Sequence, residues 1–274
     1  MPATLRHLTA ADLQALLPTM KDWVTLVEDT LRQLGAADGG ASAPPPAGGA
    51  PSVALDAQAF AIARDAACTA VAAKYLADPK SEVLTLLGGD RRGRAIVEAL
   101  VSVFPNMERM LCFDPDVARQ EQFADEIMTQ LNLASIIPPE PREATEGANI
   151  LVLNLPQGGA WPSPVIEADW LQKGTLVVSL HPGAGLTPSA RKAASRLVTD
   201  NLAAYGAEAA ARFPGEAAPD AELAAIVAGR APGRGPGNPL VIHLVFGSPA
   251  LDAALSARIL QLAEQHNRGA LRSA

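Results

Sequence analysis

The sequence predicts an α/β fold built on a parallel sheet. Short apolar runs at 82–87, 107–113, 134–137, 149–155 and 175–180 read as strands, those at 82–87, 149–155 and 175–180 as buried ones. Helical spacing separates them, as in Ala95, Ile96, Ala99, Leu100 and Val103 within 93–104, and again over 117–131. Glycines follow the first run directly and lead into a helix, which is the signature of a tight strand-to-helix turn. Strands alternating with helices from 82 to about 200 define a parallel unit, because parallel neighbours need a crossover.

Taken in order, the chain opens on a helical segment over 9–35. Thr9 is a cap, Pro18 breaks the segment in two, and apolar residues at 23, 26, 27, 31 and 34 form one stripe. The span 36–51 holds three successive prolines and no apolar period, so it reads as a flexible linker. A helix over 56–77 follows, capped by Asp56, ended by Asp78-Pro79, and rich in the alanine that permits close packing. After the parallel unit, 205–220 reads as an exposed connection, 221–228 as a short helix and 230–239 as a loop. The run 240–246 reads as a strand or buried segment, and 250–266 as a long helix.

Composition bounds the function. The 274 residues carry 22 Lys+Arg against 29 Asp+Glu, a net charge of −7. This acidity argues against a nucleic-acid partner, since phosphate neutralisation needs a basic surface. No apolar run approaches the roughly 20 residues of a membrane-spanning helix. The first seven residues show no basic stretch leading into an apolar one, so no signal peptide is read and a cytoplasmic location is expected. Cys68 and Cys112 lie 44 residues apart in apolar surroundings and outside any Cys-x-x-Cys, consistent with reduced buried thiols. The four histidines lack metal-ligand spacing, so no metal site is expected.

The turn Gly88-Gly89-Asp90-Arg91-Arg92-Gly93 is the main functional signal. A glycine-rich strand-to-helix turn aims backbone N–H groups and the helix dipole at a phosphate, as in Rossmann-like dinucleotide sites. Gly88, Gly89, Arg91, Arg92 and Gly93 are therefore candidates to hold pyrophosphate. Asp114 ends the next strand 21 residues after Gly93, close to the spacing of about 20 at which an acid takes the adenosine ribose hydroxyls. An acid there repels a 2′-phosphate and favours NAD over NADP. Asp90 stands where the middle glycine of the fingerprint belongs, and its side chain and charge are expected to oppose the pyrophosphate.

Several stretches, in order, resemble the ornithine cyclodeaminase/μ-crystallin family. They are Leu8-Thr9-Ala10-Ala11-Asp12-Leu13, Ile62-Ala63-Arg64-Asp65-Ala66-Ala67, and Gly88 to Arg94, where Gly-Thr-Gly-x-Gln-Ala/Gly-Arg is usual. Trp170-Leu171 with Lys173-Gly174, Ile226 to Arg234, and Gly247 to Asp252 complete the set. The resemblance implies a Rossmann-like domain, set at 79–204, plus a reduced substrate and dimerisation domain built from both chain ends, 1–78 and 205–274. It implies NAD-dependent hydride transfer on an amino or imino acid, and a homodimer. Arg64 matches the family arginine that holds the substrate carboxylate, a role suited to a planar guanidinium. Besides Asp90, the departures are three. No counterpart of the family's substrate lysine is found, Leu155 replaces a threonine, and His181-Pro182-Gly183 stands where the catalytic aspartate is expected after the last strand.

His181 is thus the catalytic candidate, placed at the carboxyl end of a parallel strand with an ordinary pKa near neutrality. The alternative is a loop histidine bonded to backbone. His243, inside Leu240 to Phe246, reads as a satisfied buried histidine. Two functions follow. One is an NAD-dependent oxidoreductase or cyclodeaminase-like enzyme. The other is a catalytically silent homodimer, or the scaffold partner of a biosynthetic enzyme, in which NAD binding is lost.

Overall fold

The computed structural model describes residues 4–37, 53–155, 166–181 and 184–273. Most of the expected linker at 36–51 lies outside the described residues. In chain order the strands and helices are β1 (Thr4–Leu8), α1 (Ala10–Leu16), α2 (Met20–Ala36), β2 (Val53–Leu55), α3 (Ala57–Leu76), β3 (Val83–Leu87), α4 (Arg91–Val103), β4 (Arg109–Phe113) and α5 (Val117–Leu131). There follow β5 (Ala134–Ile136), α6 (Pro141–Thr145), β6 (Ile150–Leu153), β7 (Leu176–Ser179), α7 (Pro188–Lys192), β8 (Arg196–Thr199), α8 (Leu202–Arg212), β9 (Ala221–Glu222), α9 (Leu223–Val227), β10 (Val241–Leu244), α10 (Pro249–Gln265) and β11 (Ala270–Ser273).

Eight strands form one all-parallel sheet in the order β5-β4-β3-β6-β7-β10-β8-β9. Its central strands β3, β6, β7 and β10 are buried along their whole length, which is why they appear in the sequence as near-continuous apolar runs, interrupted only by Thr85, Ser179 and His243. One apolar layer, including Leu84, Leu86, Ile150, Val152, Leu176 and Val178, packs with the helices α2, α3 and α4. The opposite layer holds Leu87, Leu151, Leu153, Val177 and Ile242 with Tyr205 and Phe213.

Two expectations are corrected. The parallel sheet does not end at residue 204: β9 and β10 belong to it, and β10 is inserted between β7 and β8. The span 205–220 is not simply an exposed connection, because α8 runs to Arg212 and Arg191 pins the following loop through Glu216 at 2.7 and 2.9 Å. Both chain ends meet in a second sheet, β11-β1-β2, in which β1 pairs antiparallel with β11 and parallel with β2. Among the described residues, no helix is long and apolar enough to cross a membrane.

Local caps explain the helix starts that matter. Thr9 and Thr19 each close a capping box with Asp12 and Asp22, so Pro18 does separate α1 from α2. Asp56 caps α3, which presents Ala63, Ala66, Ala67, Ala70 and Ala73 to the interior and so approaches α4 and α2 closely.

Candidate functional site

The strand order reverses direction at β3, whose neighbours are β4 on one side and β6 on the other. Ligands of open α/β sheets bind outside the carboxyl ends of the strands at such a switch point. The turn 88–93 leaves β3 there. Gly88 has φ +100°, and a Cβ on it would lie 2.2 Å from the Asn154 carbonyl oxygen, so only glycine fits. Gly93 lies on the first turn of α4 against Leu86 and Asn154, where a Cβ would be crowded to about 3 Å.

Asp90 is the N-cap of α4. Its Oδ1 accepts from the Gly93 N–H at 2.8 Å and from Asn154 Nδ2 at 2.8 Å. The side chain is thus turned into the turn rather than standing over it. The next N–H groups, those of Arg91 and Arg92, have no acceptor among the described residues. They point out of the helix N-terminus, where an anion is favoured. The Asp90 charge remains at that terminus, and two arginines follow it. In backbone geometry the turn fits a dinucleotide, with Asn154, 1% exposed, clamping it through Gly88 O at 2.8 Å. Asp114 is at the end of β4 as expected, buried, and bonded to the Gly89 N–H at 3.1 Å.

Beyond the turn lies a cleft of about 210 Å³ between the strand ends and α3. Arg64, Asp65 and Cys68 enter it from α3, Arg92 from α4, and His181 and Asp200 from the ends of β7 and β8. The structure therefore brings Arg64, Arg92 and His181 together. Arg91 is exposed and faces an outer groove instead.

The charges in the cleft are closely matched. Arg64 Nη1 is bidentate on Asp252 at 2.6 and 2.8 Å, and its Nε and Nη2 reach Asp65 at 3.0 and 2.8 Å. Both edges of the expected carboxylate anchor are thus already engaged. Although burial opposes its charge, the Asp65 and Asp252 carboxylates more than offset that and hold the guanidinium firmly protonated. Arg92 donates Nε–H to Asn154 Oδ1 at 2.6 Å, and its Nη2 lies 3.0 Å from His181 Nε2. Burial, and then the charge of Arg92, push the His181 pKa below its usual 6.5. His181 is thus a neutral ring whose Nε2 lone pair faces a guanidinium, which makes it a poor general acid.

Asp200 was missed in the sequence. It follows β8 and accepts from the Phe246 and Gly247 N–H groups at 2.7 and 2.9 Å. Burial outweighs these bonds and raises its pKa to about 6. An acid does stand at the cleft, then, after β8, one strand further along the chain than the position after β7 where it is expected. The signal available was Leu197-Val198 ending on Thr199-Asp200-Asn201. His243 is not a satisfied histidine: neither ring nitrogen has a hydrogen-bond partner among the described residues. Among the described residues, no group of three or more His, Cys, Asp and Glu side chains could hold a metal ion.

Fold and site together define a doubly wound α/β protein with a glycine turn at the switch point and a charged cleft beside it. The chain belongs to the ornithine cyclodeaminase/mu-crystallin family, whose model matches residues 44–266. It is 29% identical over 218 residues to an uncharacterized cyclodeaminase, y4tK, of Sinorhizobium fredii, covering 76% of this chain and 64% of that protein. It is 25% identical over 233 residues to the N-((2S)-2-amino-2-carboxyethyl)-L-glutamate dehydrogenase of Staphylococcus aureus, covering 80% and 66%. The chain thus spans just under two thirds of these relatives. The Δ1-pyrroline-2-carboxylate reductase of Thermococcus litoralis, solved with NADH and L-proline, has the same fold, with a TM-score of 0.80 at 22% identity over 97% of this chain and 99% of that one.

Proposed function

We propose that the chain is a nicotinamide-dinucleotide-dependent oxidoreductase or cyclodeaminase-like enzyme acting on an amino or imino acid. The observation that carries this is the placing of Asp200, its carboxyl fixed by the Phe246 and Gly247 N–H groups, in the same cleft as the Arg64 and Arg92 guanidinium groups; burial there raises its pKa to about 6. Such a group exchanges a proton with a substrate amine or imine nitrogen near neutrality. Arg64 is the anchor for the substrate carboxylate, which would replace Asp252, a partner whose side chain is 37% exposed. The Gly88–Gly93 turn, the N–H groups of Arg91 and Arg92, and the Asp114 corner would hold the dinucleotide. When bound, the dinucleotide supplies or accepts the hydride.

The test pairs Asp200→Asn with the parent chain, assayed on a panel of L-amino acids and their imines with the four nicotinamide dinucleotides. Turnover is expected to fall about 100-fold or more while dinucleotide binding persists. Undiminished turnover in the variant would overturn the role of Asp200. The second reading, a silent homodimer or scaffold, is favoured by Arg64 being held on both edges by Asp65 and Asp252. It predicts no thermal stabilisation by any dinucleotide, since a bound ligand must raise apparent stability.

A further inference from the structure

We infer that Arg119 decides which dinucleotide the turn accepts, favouring one that carries a phosphate on the adenosine ribose. The inference rests on the dinucleotide reading of the turn and concerns the corner at the end of β4. Asp114 is 2% exposed there. Its Oδ2 accepts from the Gly89 N–H at 3.1 Å and from Arg119 Nε at 2.9 Å. Its Oδ1 accepts from the Asp116 N–H at 2.9 Å and from Arg119 Nη2 at 2.5 Å. A carboxylate has about four lone-pair sites, so none is left for a ribose hydroxyl, and the charge is already matched.

Arg119 closes the corner from the first turn of α5, with its side chain 46% exposed. Its hold on Asp114 uses Nε and one end nitrogen. The other, Nη1, makes no hydrogen bond among the described residues. Its carboxylate neighbour is Asp116 at 3.7 Å, a side chain 53% exposed. Asp90 also faces this guanidinium at longer range. A guanidinium oriented by a buried carboxylate is a prepared donor for a phosphate oxygen. A ribose diol can reach Asp114 only by displacing Arg119, which breaks two charge-assisted bonds and leaves a charge unmatched. A 2′-phosphate needs no such displacement and competes only with the exposed Asp116 carboxylate, 3.7 Å away, for the Nη1 edge of Arg119. The acid taken alone predicts NAD; the acid with its arginine predicts NADP.

The test is calorimetric titration of the full chain with NADH, NADPH, adenosine 5′-diphosphate and its 2′-phosphorylated form. The phosphorylated member of each pair is expected to bind about tenfold tighter or better, an advantage that shrinks with added salt. Arg119→Gln is expected to reverse the preference, weakening NADPH about tenfold and leaving NADH equal or tighter. Arg119→Lys, which keeps the charge but not the fork, should retain part of the preference. Tighter binding of NADH by the parent chain overturns the inference even if the glutamine variant fails to fold. Equal weakening of both ligands by that variant also overturns it. If neither dinucleotide binds, the reading of the turn falls with it, an outcome distinct from binding with the opposite preference.

Discussion

His243 and Asp200 predict a pH dependence that is hidden in the parent chain and exposed by either substitution. His243 sits in β10 beside Val178 and Val198, 1% exposed, and burial lowers its pKa from 6.5 to about 4. Between those values the unfolded chain holds a proton that the folded chain refuses, so stability rises with pH. Asp200 behaves in the opposite sense. Its pKa is raised from 3.8 to about 6, so across that interval the folded chain keeps a proton that the unfolded chain releases, and stability falls with pH. Each pH unit of such a difference corresponds to about 1.4 kcal/mol. The histidine therefore contributes roughly 3 kcal/mol. The aspartate contributes about 2, a discounted figure because the residue is only part-buried and lines the cleft.

The two slopes nearly cancel between about pH 4 and 6. His243→Leu removes the rising one. Relative to the parent, the variant should lose roughly 3 kcal/mol of advantage as pH climbs from about 4 to 6.5. At neutral pH it should be no less stable than the parent, since it also removes a buried imidazole without a partner, a defect worth about 1–3 kcal/mol. Asp200→Asn should show the mirror image, with stability rising with pH relative to the parent. Urea unfolding at half-unit pH steps, followed by circular dichroism, reads both differences. A His243→Leu curve parallel to the parent's at every pH would refute the reasoning, because it would mean that His243 binds its proton equally in both states.

Three further predictions concern the turn and the buried ion pair. Asp90→Asn keeps an N-cap of equal quality but removes a charge from the helix N-terminus. Dinucleotide affinity should rise several-fold with the melting temperature nearly unchanged, and calorimetry showing weaker binding would mean the carboxylate assists rather than opposes. Gly88→Ala places a Cβ 2.2 Å from a backbone oxygen at φ +100°, so a loss of more than about 3 kcal/mol or failure to fold is expected on thermal unfolding. Glu216→Gln leaves Arg191 without its bidentate carboxylate in a site where both side chains are 7% exposed, and should cost about 3–5 kcal/mol by urea titration.

What was legible in the sequence follows from burial. β3, β6, β7 and β10 are buried on both faces, so each appears as an apolar run that no neighbour is needed to interpret. β1, β2 and β11 carry no such mark. Thr4–Leu8 mixes arginine and histidine with leucine, and its pairing with Ala270–Ser273 spans nearly the whole chain. The partners of Arg64 were hidden for the same reason: Asp252 is 188 residues away, and sequence alone cannot say that α10 begins beside α3. The cap at Asp90 was written locally, an aspartate three residues before Gly93. The fingerprint reading, which wants a glycine there, obscured it.

Asp200 shows why chain order misleads at such a site. Chain order points to the position of His181, just after β7, as though β7 were the last strand before the chain leaves the sheet. In space the sheet continues through β10 to β8, so the strand that follows β7 in sequence lies two places away, about 10 Å at the usual strand spacing. That insertion is what assembles the cleft. β10 ends between His181 and Asp200, and the backbone just after it, at Phe246 and Gly247, supplies the two N–H groups that fix the Asp200 carboxyl. The carboxyl is held by backbone that arrives 46 and 47 residues later in the chain. A carboxylate positioned in this way should depend on the Phe246–Gly247 backbone more than on its own loop. Gly247, at φ +86°, is the residue through which that dependence can be tested. Gly247→Ala should strain the loop by about 1 kcal/mol or more. If the two N–H groups fix the carboxyl, it should also shift the acidic limb of the pH–activity profile, whereas an unmoved limb would place control of Asp200 elsewhere.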